Sequence, residues 1–182
     1  MLLNNCMMEK FLKILEPVEQ FHQLRIEILK LINDHVTDKN QIICQTKEEN
    51  NIDWHSGIGS IDDLQEKNEE YYKFINPLLT GTRIEKSIKK FNGVRTRIMI
   101  LPPRHCYSIH SDPTPRLHIP IVTNDQCWMI WPFANQCKRL IEGYVHLADT
   151  THPHTFVNGS ESENRIHLMM CLSKEDAKRF LS

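Results

Sequence analysis

From Arg95 onward the chain breaks into short apolar-rich runs separated by turn residues, and that rhythm limits the architectures open to it. Strand candidates fall at Arg95–Leu101, Cys106–His110, Leu117–Val122, Cys127–Trp131, Leu140–Leu147, His154–Val157 and Arg165–Leu172. Turns spaced roughly every eight to twelve residues suit an all-β barrel or sandwich. The first half reads mainly helical. Val18, Phe21, Leu24, Ile28, Leu31 and Ile32 fall at three-and-four spacing between Pro17 and His35, with Pro17 in the first turn. A second helical stretch is expected from Asp62 to about Asn76, and a third from Thr82 to Phe91, ended by Asn92-Gly93. Gln41–Thr46 is a short strand candidate, Asn50 to Ser60 a polar loop, and a helix capped by Ser173 closes the chain. The expected fold is α+β in a single domain over 1–182. Residues 1–92 are expected to form a mainly helical layer, 93–172 a jelly-roll core, and 173–182 the last helix.

Composition narrows the function. The chain has 182 residues, enough for one sizeable core, and a formal net charge of −1, so no global field draws it to nucleic acid. No apolar run approaches the roughly 20 residues that span a bilayer. The start, MLLNNCMMEKFLKILE, has no basic segment leading into an unbroken apolar stretch, so no signal peptide is expected. The six cysteines are scattered without a CxxC pair and read as reduced. Neither a nucleic-acid nor a membrane partner is expected, and the location is expected to be cytoplasmic. The basic stretch Arg83 to Arg97 carries an apolar stripe at Ile84, Ile88 and Phe91, so its lysines read as a solvated helix face. Trp128 and Trp131, on one strand candidate, read as core.

The chemistry lies among the ten histidines, most of which follow residue 104. In His110-Ser111-Asp112 an extended backbone points the first and third side chains to one face, where imidazole and carboxylate can share an ion. A second, distant histidine completes a 2-His-1-carboxylate set, which suits non-heme Fe(II) because it leaves positions open. His105, His118, His146, His152, His154 and His167 are all candidates for that place. HxD alone is a common pattern, and it gains weight from Arg165, eleven residues after His154 across the polar turn Gly159–Asn164. A hairpin-like turn would return Arg165 beside His154, where its planar fork could clamp a carboxylate. 2-Oxoglutarate needs such a cation for its far carboxylate. The plainer reading of Arg165 is a surface ion pair with Glu161 or Glu163. Arg97 and Tyr107 lie near the metal motif and could reach a substrate, but both are left as strand-surface or packing residues.

The segments RTRIMILPPRHCYSIHSD, RLHIPI and YVHLADTTHPHTFVNGSESENRIHL, in that order, resemble the catalytic core of Fe(II)/2-oxoglutarate oxygenases. The branch resembled is that of the aspartyl/asparaginyl β-hydroxylases and bacterial free-proline hydroxylases. The resemblance implies a double-stranded β-helix fold, a metal triad of His110, Asp112 and His154, and Arg165 as the distal-carboxylate residue. It also implies that Arg116 and His118, an Arg-x-His after the HxD, help hold the keto-acid end. The HTFVN run favours His154 over His152. Asp112 departs from the mammalian-type aspartyl hydroxylases, which lack a carboxylate ligand, and matches the proline-hydroxylase pattern.

Two function classes follow. The first is a dioxygenase using Fe(II), 2-oxoglutarate and O2, with ascorbate as a stimulant, that hydroxylates an amino-acid side chain and releases succinate and CO2. Its substrate would be a free amino acid or a short peptide. The second is a cupin-like metal enzyme or binding module that does not use 2-oxoglutarate and would need neither Arg165 nor Arg116.

Overall fold

The computed structural model describes residues 11–35, 39–58 and 68–181. In chain order come β1 (Leu12–Pro17), α1 (Phe21–His35), β2 (Gln41–Ile43), β3 (Gln45–Thr46), β4 (Phe74–Ile75), α2 (Arg83–Phe91) and β5 (Val94–Leu101). They are followed by β6 (His105–Cys106), β7 (Arg116–Val122), β8 (Cys127–Trp131), β9 (Gln136–Lys138), β10 (Tyr144–Ala148), β11 (Thr155–Asn158), β12 (Arg165–Cys171) and α3 (Lys174–Leu181). The chain divides into two compact units: the described residues of Met1–Val18 with Ile100–His167, and those of Glu19–Met99 with Leu168–Ser182.

The first unit is a β sandwich. Within this unit one sheet, part of a six-stranded one, has the order β1-β10-β7-β12, and the other β6-β11-β8-β9. The registered pairings are antiparallel, with His146 opposite His118 and Phe156 opposite Met129. Period-two alternation explains the core: Met129 and Trp131 of β8 are buried, while Trp128 is only partly so and carries the Arg139 guanidinium 5.5 Å from its ring centroid. Leu101, Met129, Trp131, Leu140, Ala148 and Phe156 make one apolar cluster. The Trp131 indole N–H satisfies itself on the Asp149 carbonyl at 2.8 Å. The strands that these two sheets contribute to this unit form a double-stranded β-helix, the fold expected of the core.

The N-terminal end of this unit departs from expectation. Pro17 is not in a helix; it is the last residue of β1, opposite Tyr144. The Val18 N–H then bonds the Gly143 carbonyl at 2.8 Å, and Gln20 turns left-handed at φ 51°. The helix therefore begins at Phe21. The apolar run before Pro17 satisfies its backbone on β10 instead of on itself.

In the second unit, α1 buries Leu24 and Ile28. Gln41–Thr46 is extended as expected, split into β2, paired with β5, and β3, paired with β4. The helix expected from Asp62 to Asn76 lies partly outside the described residues. From Asn68 on it is replaced by a single 3-10 turn at Glu69–Tyr71 and by β4. Competing partners explain the change: the Tyr72 carbonyl accepts from the Arg95 N–H and the Lys73 carbonyl from the Gln45 side chain, so neither serves a helix. The α2 helix follows its sequence signals. Thr82 Oγ1 accepts from the Glu85 N–H at 3.2 Å, and Asn92 adopts the left-handed conformation that stops the helix. Its Ile84, Ile88 and Phe91 are buried and its lysines exposed. The Asp176 N–H donates to Ser173 Oγ, the expected cap of α3. No described helix is long and apolar enough to cross a membrane.

Candidate metal and cosubstrate site

The site belongs to the first unit and starts from a backbone pairing. Between β6 and β7 the chain runs beside the entry to β11, where His110 and His154 form an antiparallel bridge. Each donates its N–H to the other's carbonyl, at 3.1 and 2.9 Å. A pair that exchanges both hydrogen bonds presents its side chains on one face. The two imidazoles accordingly stand with ring centroids 4.5 Å apart. Two residues on, the Asp112 N–H is fixed by the Thr150 carbonyl at 2.8 Å, and its carboxylate lies 4.0 Å from His110 Nε2 and 3.7 Å from His154 Nε2. One ligand atom from each of the three residues falls within 4.8 Å of the other two.

The ring nitrogens are already allotted. His110 Nδ1 donates to the Ser108 carbonyl at 2.8 Å and His154 Nδ1 to the His152 carbonyl at 3.0 Å. Each Nε2 is thereby left as a lone pair facing the carboxylate, the orientation a metal ligand requires. Burial first, then the His110 and Arg116 charges, pulls His154 below the ordinary imidazole range, against the upward effect of the His152 carbonyl and Asp112. Arg116, itself buried, holds Asp112 Oδ1 with Nη2 at 3.0 Å and Thr114 with Nη1. Arg116 thus lies against the acid of the triad. His152 turns elsewhere: its Nδ1 meets Asp149 Oδ2 at 3.1 Å and its ring stands edge-on to Phe11. It is no member of the cluster. Two imidazoles and a carboxylate on one face suit a divalent first-row metal with open positions.

Arg165 arrives by a different route from the one the turn suggested. β11 and β12 are not a hairpin; they lie in opposite sheets of the sandwich. The connection is tied by Asn158, whose Nδ2 donates to the Leu101 and Glu163 carbonyls while its Oδ1 accepts from the Ser160 N–H. Arg165 therefore opens β12 facing Phe156, with its guanidinium carbon 4.4 Å from that ring's centroid. The surface ion pair is ruled out, because Arg165 is 1 % exposed and Glu161 instead faces Arg104 at 3.5 Å. Among the described residues no carboxylate pairs with Arg165. Its Nη2 donates to the Tyr107 hydroxyl at 3.2 Å, its Nη1 meets His167 Nδ1 at 3.3 Å, and its Nε has no partner. Burial draws its pKa below the ordinary arginine value, with Tyr107 opposing. Burying a cation without a counter-charge costs several kcal/mol, and an anion bound beside Arg165 would offset that cost.

His118 is buried beside Phe156 and His167, with ring centroids at 5.3 and 5.5 Å, and among the described residues neither of its nitrogens has a partner. Burial first, then the Arg165 charge, holds His118 and His167 well below the ordinary imidazole range. Tyr107 and His167 are the residues that sequence reasoning left outside the site. His167 had a signal, since it lies two positions after Arg165 on the same strand face. Tyr107 had only its nearness to the metal motif, because its approach to Arg165 depends on the Tyr107 N–H bonding the Phe156 carbonyl.

The fold is shared with a viral collagen prolyl hydroxylase from Paramecium bursaria Chlorella virus 1. The truncated form matches with a TM-score of 0.54 at 11% identity, over 90% of this chain and 91% of that one. Its 2-oxoglutarate complex matches with a TM-score of 0.51 at 10% identity, over 90% and 97%. AviO1 from Streptomyces viridochromogenes Tue57 matches with a TM-score of 0.52 at 10% identity, over 88% of each chain. No curated protein matches the sequence. The family model for aspartyl/asparaginyl β-hydroxylase matches residues 18–175. With most of its length inside that match, the chain belongs to the aspartyl/asparaginyl β-hydroxylase family.

Proposed function

We propose that this protein is an Fe(II)- and 2-oxoglutarate-dependent dioxygenase that hydroxylates an amino-acid side chain, free or within a peptide, and releases succinate and CO2. The observation that carries the reading is the pairing of two features in one unit. His110, Asp112 and His154 bring three atoms together that could ligate a metal, and Arg165 is a buried guanidinium without a carboxylate partner among the described residues. A cupin-like enzyme that makes no use of 2-oxoglutarate has no need of the second.

In this reading His110 and His154 offer Nε2, and their Nδ1–H bonds to Ser108 and His152 keep both rings in the ligating tautomer. Asp112 offers its carboxylate, held in place by Arg116. When bound, the iron supplies open coordination positions at which O2 is activated. Arg165, steadied by the Tyr107 hydroxyl, binds the far carboxylate of 2-oxoglutarate, and Phe156 gives the cosubstrate a dry apolar wall. His118 of the Arg-x-His pair stands within the same enclosure. Family membership supports an amino-acid side chain as the target.

The test is a panel of free amino acids and of peptides containing proline, aspartate and asparagine, incubated with Fe(II), 2-oxoglutarate, O2 and ascorbate. Succinate release coupled to the gain of one oxygen atom is expected on a member of the panel. Coupled turnover confined to a nucleic acid or a lipid would overturn the substrate class. No succinate with any substrate would overturn the cosubstrate.

A further inference from the structure

Arg165 and His167 lie two residues apart on β12, and the hydrogen bond between them fixes more than their positions. A guanidinium carries only donors. His167 Nδ1, 3.3 Å from Arg165 Nη1, must therefore accept, and the single proton of the neutral ring must sit on Nε2. That Nε2–H is buried and has no partner among the described residues. The ring is 1 % exposed, so bulk water does not satisfy it. Its neighbour His118 also has both nitrogens unpartnered, with the ring centroids 5.5 Å apart and the planes at 70°. Phe156 stands edge-on to His167 at 5.5 Å and offers nothing polar. A buried donor without an acceptor costs about 1–3 kcal/mol, and here the cost falls beside an uncompensated cation.

We infer that His167 is a second cosubstrate-binding residue: its Nε2–H donates to a carboxylate oxygen of the dicarboxylate that Arg165 holds, with Arg165 fixing the tautomer that makes it a donor. The inference rests on the 2-oxoglutarate reading and adds a residue to it. Burial and the Arg165 charge, which keep the imidazole neutral, agree with this role. A carboxylate oxygen here gives Nε2–H its acceptor and leaves Arg165 its fork.

The test uses full-length protein loaded with Mn(II), so that binding is measured without turnover. 2-Oxoglutarate binding is followed by calorimetry in wild type, His167→Leu, His167→Gln and Arg165→Ala, with pyruvate as a 2-oxo acid that lacks the distal carboxylate. His167→Leu is expected to weaken 2-oxoglutarate roughly tenfold or more, the loss of one hydrogen bond to a charged group, and to leave pyruvate unchanged. His167→Gln, which keeps a donor near the Nε2 position, is expected to restore most of the affinity. Imidazole 15N spectra of the wild type should show the Nε2–H form, with that resonance moving on addition of 2-oxoglutarate and not of pyruvate. If Arg165→Ala loses binding while His167→Leu does not, or if the ring carries its proton on Nδ1, His167 is only packing and the inference falls. An unchanged resonance on addition of 2-oxoglutarate, showing that an enclosed water satisfies Nε2–H, would overturn it equally. If Arg165→Ala binds 2-oxoglutarate as well as wild type does, the cosubstrate reading itself fails. Should His167→Leu not fold, His167→Gln and the wild-type spectra decide.

Discussion

His110 and His154 exchange both backbone hydrogen bonds, so residues forty-four positions apart are placed as a pair by the main chain before any side chain chooses a rotamer. Pre-assembly of this kind would let a metal find two imidazoles already facing Asp112, with no need to gather them. The bridge also separates His154 from His152, which shares its loop but turns to Asp149.

The first prediction follows from that separation. Mn(II) or Fe(II) should raise the melting temperature of the wild type, since a ligand that binds only the folded state stabilises it by mass action. His110→Ala, Asp112→Ala and His154→Ala should lose that rise and all turnover, whereas His152→Ala should keep both. Differential scanning fluorimetry with and without metal reads the difference. A full metal response in His154→Ala would displace it from the triad.

Arg116 gives the second. The family resemblance assigns it to the keto-acid end, but here its Nη2 holds Asp112 Oδ1 at 3.0 Å. Arg116→Lys should therefore weaken the metal about 10- to 100-fold, the usual effect of losing a partner that orients a ligand. The KM for 2-oxoglutarate, measured at saturating iron, should change far less. The opposite pattern, with metal affinity intact and KM raised, would return Arg116 to the keto acid.

A third concerns Arg165 and sets stability against function. Arg165→Ala should raise the KM for 2-oxoglutarate about 30-fold or more, and Arg165→Lys should be intermediate at best because a point charge cannot replace the fork. Arg165→Met should raise the KM as much as Arg165→Ala yet unfold at no lower a temperature than the wild type without ligands, since it removes a buried cation that lacks a counter-charge among the described residues. A steep fall in the melting temperature of the Met variant would mean that the guanidinium is there for the fold.

The fourth is the pH dependence of stability. Burial lowers the proton affinity of His118 and His167 below the unfolded value of 6.5. As the pH falls below 6.5 the unfolded chain takes up protons that the folded chain refuses, so the stability present above that pH drains away. The slope should reach about 1.4 kcal/mol per pH unit for each histidine kept neutral. Urea unfolding at pH 7.5 and 5.5 measures it, and His167→Gln should flatten the dependence. An equal slope in that variant would show that His167 takes no part.

How far the sequence carries can be argued from these same residues. His110-Ser111-Asp112 was legible because both partners lie within one extended tripeptide, and β8 because its alternation is local. Arg165 was singled out by its spacing from His154, yet the hairpin route expected for it was misread. Spacing gives the length of a connection and not which sheet the next strand joins. Pro17 was misplaced for a related reason: apolar residues at Val18 and Phe21 fit a helix, and only β10, more than a hundred residues later, decides that Leu12–Pro17 is a strand. Tyr107 and the tautomer of His167 depend on contacts between distant segments, which no local pattern encodes.

The crossing from β11 to β12 has a consequence for divergence within the family. Its residues Gly159–Asn164 look like an ordinary exposed loop, the kind that accepts insertions, tags and drift. Yet the Asn158 amide grips the carbonyl of Glu163 at one end and that of Leu101 at the other, at 2.8 and 2.9 Å, so the number of residues between Asn158 and Arg165 is fixed by a buried ruler. The letters of this loop are open to change and its count is not. A relative that gains or loses a residue here must either abandon the asparagine or move its arginine off Phe156.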